Sequence, residues 1–273
     1  MNNFRLNVLY ILTLLIGLSV TVPVFAGNVI LIIGDGMDDQ QISIARNYLK
    51  GTTGRLSLDN LPVRSNVQVL TVSDHDPSQP VYVADSANSA TSMASGTVTS
   101  RGRIGTTAGT DEDVVNIIEL AQQRDIRTGI VTTASVTDAT PAAFYAHTNS
   151  RGCQNPEMMV NAEFYPKVFV DCSADLKSNG GKGSISEQLV SSGVDLILGG
   201  GLKHFTLASE GGGDAVIALA EQAGYQLALD LEQFDRIEEG KLLGLFSSST
   251  MPVIWGGEDD RTAEQSERTW PGF

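Results

Sequence analysis

The stretch DVVNIIELAQQRDIRTGIVTT, residues 113–133, holds a helix and a strand in succession. Val114, Ile117, Ile118 and Ala121 recur at helical spacing, so Asp113 to Arg124 is expected to form an amphipathic helix. Thr128 to Thr133 (TGIVTT) is short, apolar and β-branched, the pattern of a strand buried on both faces. The same alternation recurs outward from this pair. Upstream, Asn28 to Ile33 (NVILII) reads as a strand buried on both faces and Asp39 to Leu49 as a helix through Ile42, Ala45 and Leu49. Val67 to Val72 and Val81 to Ala84 read as strands. Downstream, Ser184 to Ser192 reads as helix, Val194 to Leu198 as strand and Asp214 to Ala223 as helix. Tyr225 to Ala228 and Leu242 to Phe246 add two more strands. This order predicts an α/β fold with a mainly parallel central sheet and helices on both faces. No Pro- or Ser-rich linker divides the chain, so residues 27–273 are expected to form one domain.

Composition narrows the function classes. The 273 residues carry a net charge of −14, which repels a phosphate backbone and excludes nucleic acid as the expected partner. With 41% hydrophobic and 18% charged residues, the chain can bury a core. Arg5 is the only charge before Asp35, Val8 to Val20 is nearly all apolar, and Val24-Phe25-Ala26 has the small or aliphatic residues of a cleavage site. A signal peptide over residues 1–26, cleaved after Ala26, is therefore expected. Thr13, Gly17, Ser19 and Pro23 fit poorly in a membrane anchor of about 20 apolar residues. The expected location is periplasmic or secreted, with no membrane contact after cleavage. Two cysteines, Cys153 and Cys172, are expected to pair in an oxidising compartment; zinc ligation, the rival reading, lacks a nearby His.

Three constellations carry chemistry, each after an apolar run, where parallel sheets bind ligands. Asp35 stands between Gly34 and Gly36, a hard carboxylate suited to a divalent cation, or simply a turn residue. Ser86, in Asp85-Ser86-Ala87-Asn88-Ser89-Ala90-Thr91, opens a run of small residues expected to be helical. Free N–H groups at such an N-terminus favour an anion or a developing alkoxide, whereas the plainer reading is a Ser N-cap. Asp138-Ala139-Thr140-Pro141 offers a carboxylate and a hydroxyl to one ion, with His147 and Arg151 following; an ordinary helix cap uses the same residues. Arg151 has the planar fork that matches phosphate.

Taken together these motifs resemble bacterial alkaline phosphatase. The resemblance extends through Ala142-Ala143, Ala146-His147, Ser150-Arg151, Ser184 to Gln188, Leu198 to Gly201, Leu242 to Phe246 and Met251-Pro252-Val253. It implies hydrolysis of small phosphate monoesters through a phosphoserine, with two zinc ions and one magnesium, in a family that is commonly homodimeric. Ser86 would be the nucleophile and a zinc ligand, and Asp35 would be shared between one zinc and the magnesium. Asp138 and Thr140 would bind magnesium, with Asp138 keeping that site oxygen-rich. Arg151 would clamp the phosphate, held by Asp85. Asn88 stands where the family usually has a smaller residue.

One departure is larger. The family takes its remaining zinc ligands from a second half with no counterpart here, and the chain has only His75, His147 and His204. Asp74-His75 reads as a solvated loop, His147 as a satisfied helix histidine and His204 as a surface residue after the glycine turn. The sequence thus reads as the first part of the family's fold, cut before its zinc-binding half. The alternative to an enzyme is a non-catalytic fragment that binds Mg²⁺ or phosphate at most. A Ser–His hydrolase is disfavoured because Ser86 lacks the G-x-S-x-G elbow.

Overall fold

The computed structural model describes residues 27–252, so the expected signal peptide lies outside the described residues. The chain divides into two units, Met1–Gly34 and Asp35–Phe273. In the first, residues 27–34 carry no strand pairing, and Val29, Ile30 and Ile32 are exposed. This corrects the strand expected over Asn28 to Ile33. β-branched residues supply the propensity, but a strand exists only where a neighbour completes its ladder.

The second unit opens with helix α1 (Asp39–Lys50), whose Asp38 cap is closed reciprocally by Gln41. Its apolar residues are not buried. Two-residue strands β1 (Thr71–Val72) and β2 (Pro80–Val81) pair antiparallel, a remnant of the two longer strands expected there. Helix α2 (Ser86–Ser95) buries Ala87, Ala90 and Ala94, small side chains that allow close packing, and ends at Gly96 in the left-handed conformation. Helix α3 is confined to Ile117–Gln122 because Asn116 caps it, accepting from the Ile118 and Glu119 amides. Val114 therefore lies outside the helix expected from Asp113.

The centre is a four-stranded parallel sheet of β3 (Gly129–Ser135), β6 (Leu196–Gly200), β7 (Tyr225–Ala228) and β8 (Lys241–Leu245), in the order β3-β6-β8-β7. Ile197 lies opposite both Ile130 and Leu243 across the ladders, and Ile197 and Leu243 are wholly buried. Helices α4 (Ala139–Ala142), α5 (Ile185–Ser191), α6 (Val216–Gln222) and α7 (Leu231–Asp235) complete the strand–helix alternation. Ile185, Leu189, Val216 and Ala220 are fully buried. The α/β fold with a central parallel sheet flanked by helices is thus observed.

One element was not anticipated. Strands β4 (Val160–Tyr165) and β5 (Val168–Asp171) form an antiparallel hairpin between the two cysteines. Cys153 and Cys172 are joined by a disulfide, packed in a small core with Met159 and Val170. At the end of β6, Gly201 has φ of 101°, and a Cβ there would lie 2.1 Å from Ser135 Oγ, so glycine is required for the close approach of β3 and this turn.

Candidate active site

Two chain segments meet beyond the C-terminal end of β3. After Ser135 the backbone turns through an Asp138 N–H to Ser135 carbonyl bond of 3.0 Å. Asp138 then caps α4, accepting from the Ala139 amide at 2.7 Å. The cap reading of Asp138 is therefore correct, and it leaves Thr140 in the first turn. Likewise Asp85, not Ser86, caps α2, and Ser86 occupies the first helical position. Its hydroxyl is thus free of capping duty and sits where helix amide groups bias the field towards negative charge.

Asp35 joins the two segments. Its Oδ1 accepts from Ser86 Oγ at 3.0 Å and its Oδ2 from Thr140 Oγ1 at 2.9 Å. Asp35 is exposed and Ser86, Asp138 and Thr140 half-buried, so the group faces solvent. The tight turn at Gly36, with φ of 64°, follows Asp35, although the described residues 27–34 before it form no strand.

Arg151 is braced by two carboxylates. Its Nη2 donates to Asp138 Oδ1 at 2.7 Å, and Nη1 lies 3.5 Å from Asp85 Oδ2. The Arg151 amide donates to the Gly102 carbonyl at 2.7 Å, while the Gly102 amide donates to both Asp85 oxygens at 3.2 Å. The cap of the serine helix and the arginine loop are therefore one hydrogen-bonded unit. Gly102 escaped the sequence reading, because nothing in its own neighbourhood marks a backbone link between two remote loops.

The donors sort by chemistry. Asp35, Asp138 and Thr140 offer only oxygen, a set that fits a hard cation such as Mg²⁺ retaining some of its waters. The described residues do not fit a zinc pair. Among them no group of three or more His, Cys, Asp and Glu side chains converges on a metal position. The histidines lie elsewhere. His75 is exposed in its loop, but the neighbouring Asp74 is not simply solvated. It accepts from Arg103 Nε at 2.5 Å, from Ser100 Oγ at 2.7 Å and from the Gly109 amide at 3.0 Å. These contacts hold its carboxyl well below the usual range, with the Arg103 bond the largest favourable cause.

His204 is buried, not on the surface as expected, because the Asn155 amide reaches its Nδ1 at 2.8 Å. Burial, with Lys203 nearby, lowers its pKa to about 4, so it is neutral. His147 is buried outside any helix, with Nδ1 2.8 Å from the Gly105 carbonyl and Nε2 2.9 Å from Glu119 Oε1. A carbonyl takes only a donated proton, so Nδ1 carries one; pairing with an ionised Glu119 puts a second on Nε2. Burial opposes this charge, but Glu119 and Gly105 outweigh it and the pKa is raised.

The alkaline phosphatase family model matches residues 26–269. Streptomycin-6-phosphate phosphatase of Streptomyces griseus is 42% identical over 239 residues, covering 86% of this chain and 51% of that protein. Alkaline phosphatase of Escherichia coli K12 is 38% identical over 240 residues, covering 85% and 49%. Among solved structures, a variant of TAB5 alkaline phosphatase with Mg bound in its M3 site superposes with a TM-score of 0.53 at 27% identity, covering 77% of this chain and 50% of that one. The chain spans about half the length of the curated relatives it matches.

Proposed function

The chain belongs to the alkaline phosphatase family, and on that footing we propose that the protein hydrolyses phosphate monoesters through a phosphoserine formed on Ser86. The observation that carries this is the Ser86 hydroxyl, on the first turn of α2 and 3.0 Å from Asp35, directly following Asp85, one of the two carboxylates that hold Arg151. Asp35 orients the hydroxyl and accepts its hydrogen bond. As Ser86 Oγ bonds to phosphorus its proton passes to Asp35. The ester oxygen departs, taking up a proton to leave as the alcohol. Water then attacks the phosphoserine, returning the proton to Ser86 and releasing inorganic phosphate. Charge accumulates on the non-bridging oxygens, where the Arg151 fork and the α2 amides stabilise it. Asp85 and Asp138 keep the guanidinium from swinging away, so its order precedes substrate binding.

Asp35, Asp138 and Thr140 would hold magnesium, which supplies positive charge beside the nucleophile. The described donors do not compose a zinc site. The proposed substrates are small phosphate monoesters and the proposed assembly is a homodimer, as the family implies. Export to the periplasm or medium, with cleavage after Ala26, is likewise proposed. Among the described residues no helix is long and apolar enough to cross a membrane.

The test is hydrolysis of p-nitrophenyl phosphate by the purified protein with zinc and magnesium, against Ser86→Ala. Acid-trapped phosphoserine in the unaltered protein and its loss in the variant are expected, with turnover reduced by several orders of magnitude. An undiminished rate in Ser86→Ala would refute the nucleophile. The lack of a zinc donor set among the described residues favours a second reading, in which this polypeptide binds Mg²⁺ or phosphate without turnover. Fewer than two zinc ions per chain, phosphate binding and no hydrolysis select that reading.

A further inference from the structure

α1, α3 and α5 close their N-termini with a reciprocal cap whose returning side chain is Gln41, Glu119 or Glu187. In α2 the returning residue is Asn88, one methylene shorter. It is wholly buried. Its Oδ1 accepts from the Asp85 amide at 2.8 Å, its own amide donates to Asp85 Oδ1 at 3.1 Å, and its Nδ2 donates to the Leu70 carbonyl at 3.2 Å. The two opposite partners fix the orientation of the side-chain amide.

The capped residue has unusual duties. The Asp85 carboxylate also receives the Gly102 amide and faces Arg151, and the next residue is Ser86. Without the Asn88 bond the Asp85 amide would lose its partner, and the backbone entering the serine turn would be free to rotate. A cap elsewhere stabilises a helix; this one sets the direction of a carboxylate and the entry to a nucleophile.

We propose that Asn88 is a positioning residue for phosphate binding, acting through Asp85 to align both Arg151 and Ser86. The inference rests on the phosphatase reading above and adds a residue that touches no substrate. Asn88 works because it is short enough to draw Asp85 onto the helix and carries a donor that anchors it to Leu70.

The experiment measures inorganic phosphate affinity by calorimetry, and exchange of the Asp85 amide, for the full chain and for Asn88→Ala and Asn88→Asp. The Ala variant removes both bonds. The Asp variant keeps an oxygen facing the Asp85 amide, but it replaces the donor to Leu70 with an acceptor and adds a buried charge beside Asp85. Asn88→Ala is expected to weaken phosphate binding about tenfold and to expose the Asp85 amide to exchange. Asn88→Asp is expected to keep the Asp85 amide protected from exchange, because an oxygen still faces it. Unchanged affinity in a folded Asn88→Ala overturns the proposal, and so does equally fast exchange of the Asp85 amide in both variants. If Asn88→Ala does not fold, Asn88→Ser, too short to reach the Asp85 amide, is judged by the same criteria. Failure of the unaltered chain to bind phosphate would refute the phosphate-clamp reading itself, and the role of Asn88 with it.

Discussion

The Ser86 hydroxyl donates a hydrogen bond to Asp35, 51 positions away in the chain, at 3.0 Å. Thr140 contacts the other oxygen of the same carboxylate at 2.9 Å. One exposed side chain thus ties two segments that fold on separate elements.

Asp35→Asn keeps the shape of this junction and removes its charge. Magnesium affinity, measured by calorimetry, should fall at least about tenfold, since a hard cation loses an anionic ligand. Stability should change by less than about 0.5 kcal/mol, because the residue is exposed. Unaltered magnesium binding would show that the cation position lies elsewhere.

Arg151→Lys preserves the charge but not the fork. It cannot face Asp85 and Asp138 and present two parallel donors to a phosphate at once. Phosphate binding should weaken about tenfold or more at constant ionic strength. A lysine variant that binds phosphate as tightly would reduce the role of Arg151 to simple charge.

The His147–Glu119 pair makes a pH signature. The raised His147 pKa gives a stability contribution fully present below its unfolded value of 6.5, lost as pH rises through the higher folded value. Glu119 is lowered from 4.5: burial opposes the shift, and the His147 bond outweighs it. Its contribution is present above that value and is lost as pH falls through the folded one. The melting-temperature gap between the unaltered protein and Glu119→Gln should therefore be widest near pH 5 to 6.5 and narrow above it. A gap that grows with alkalinity would contradict the pairing.

The Cys153–Cys172 bridge spans 19 positions, and both residues are fully buried. Replacing both cysteines with alanine should cost about 3 kcal/mol on loop-closure entropy, read from urea denaturation. Mass spectrometry after alkylation of the unreduced protein should find no free thiol.

Much of the sheet was legible because short apolar, β-branched runs mark its strands, as in residues 128–133 and 194–198. Of these two, burial on both faces holds only for β6: in β3 Ile130 is buried while Val131 is 72% exposed. The same signal misled at Asn28 to Ile33, since an apolar run reports propensity and not the presence of a ladder partner. The β4–β5 hairpin was overlooked although Val160, Ala162 and Phe164 alternate with Asn161 and Glu163. Its turn uses Lys167 at φ of 65° where glycine would have advertised it. In the site, Asp35, Ser86 and Thr140 were legible from motif chemistry. The burial of His204 was not, because its partner Asn155 lies 49 positions away and no local pattern encodes that contact.

The strand order β3-β6-β8-β7 also dictates a sequence of events during synthesis. β6 finds β3 already made, but β7 emerges before β8, its sole neighbour in that sheet. Until Lys241–Leu245 has been translated, Tyr225–Ala228 has no ladder to join and β6 has a bare edge. Assembly of this sheet must then wait for distant segments to meet, the slow class of contact formation. A nascent chain held back in this way stays threadable for as long as β8 is unmade.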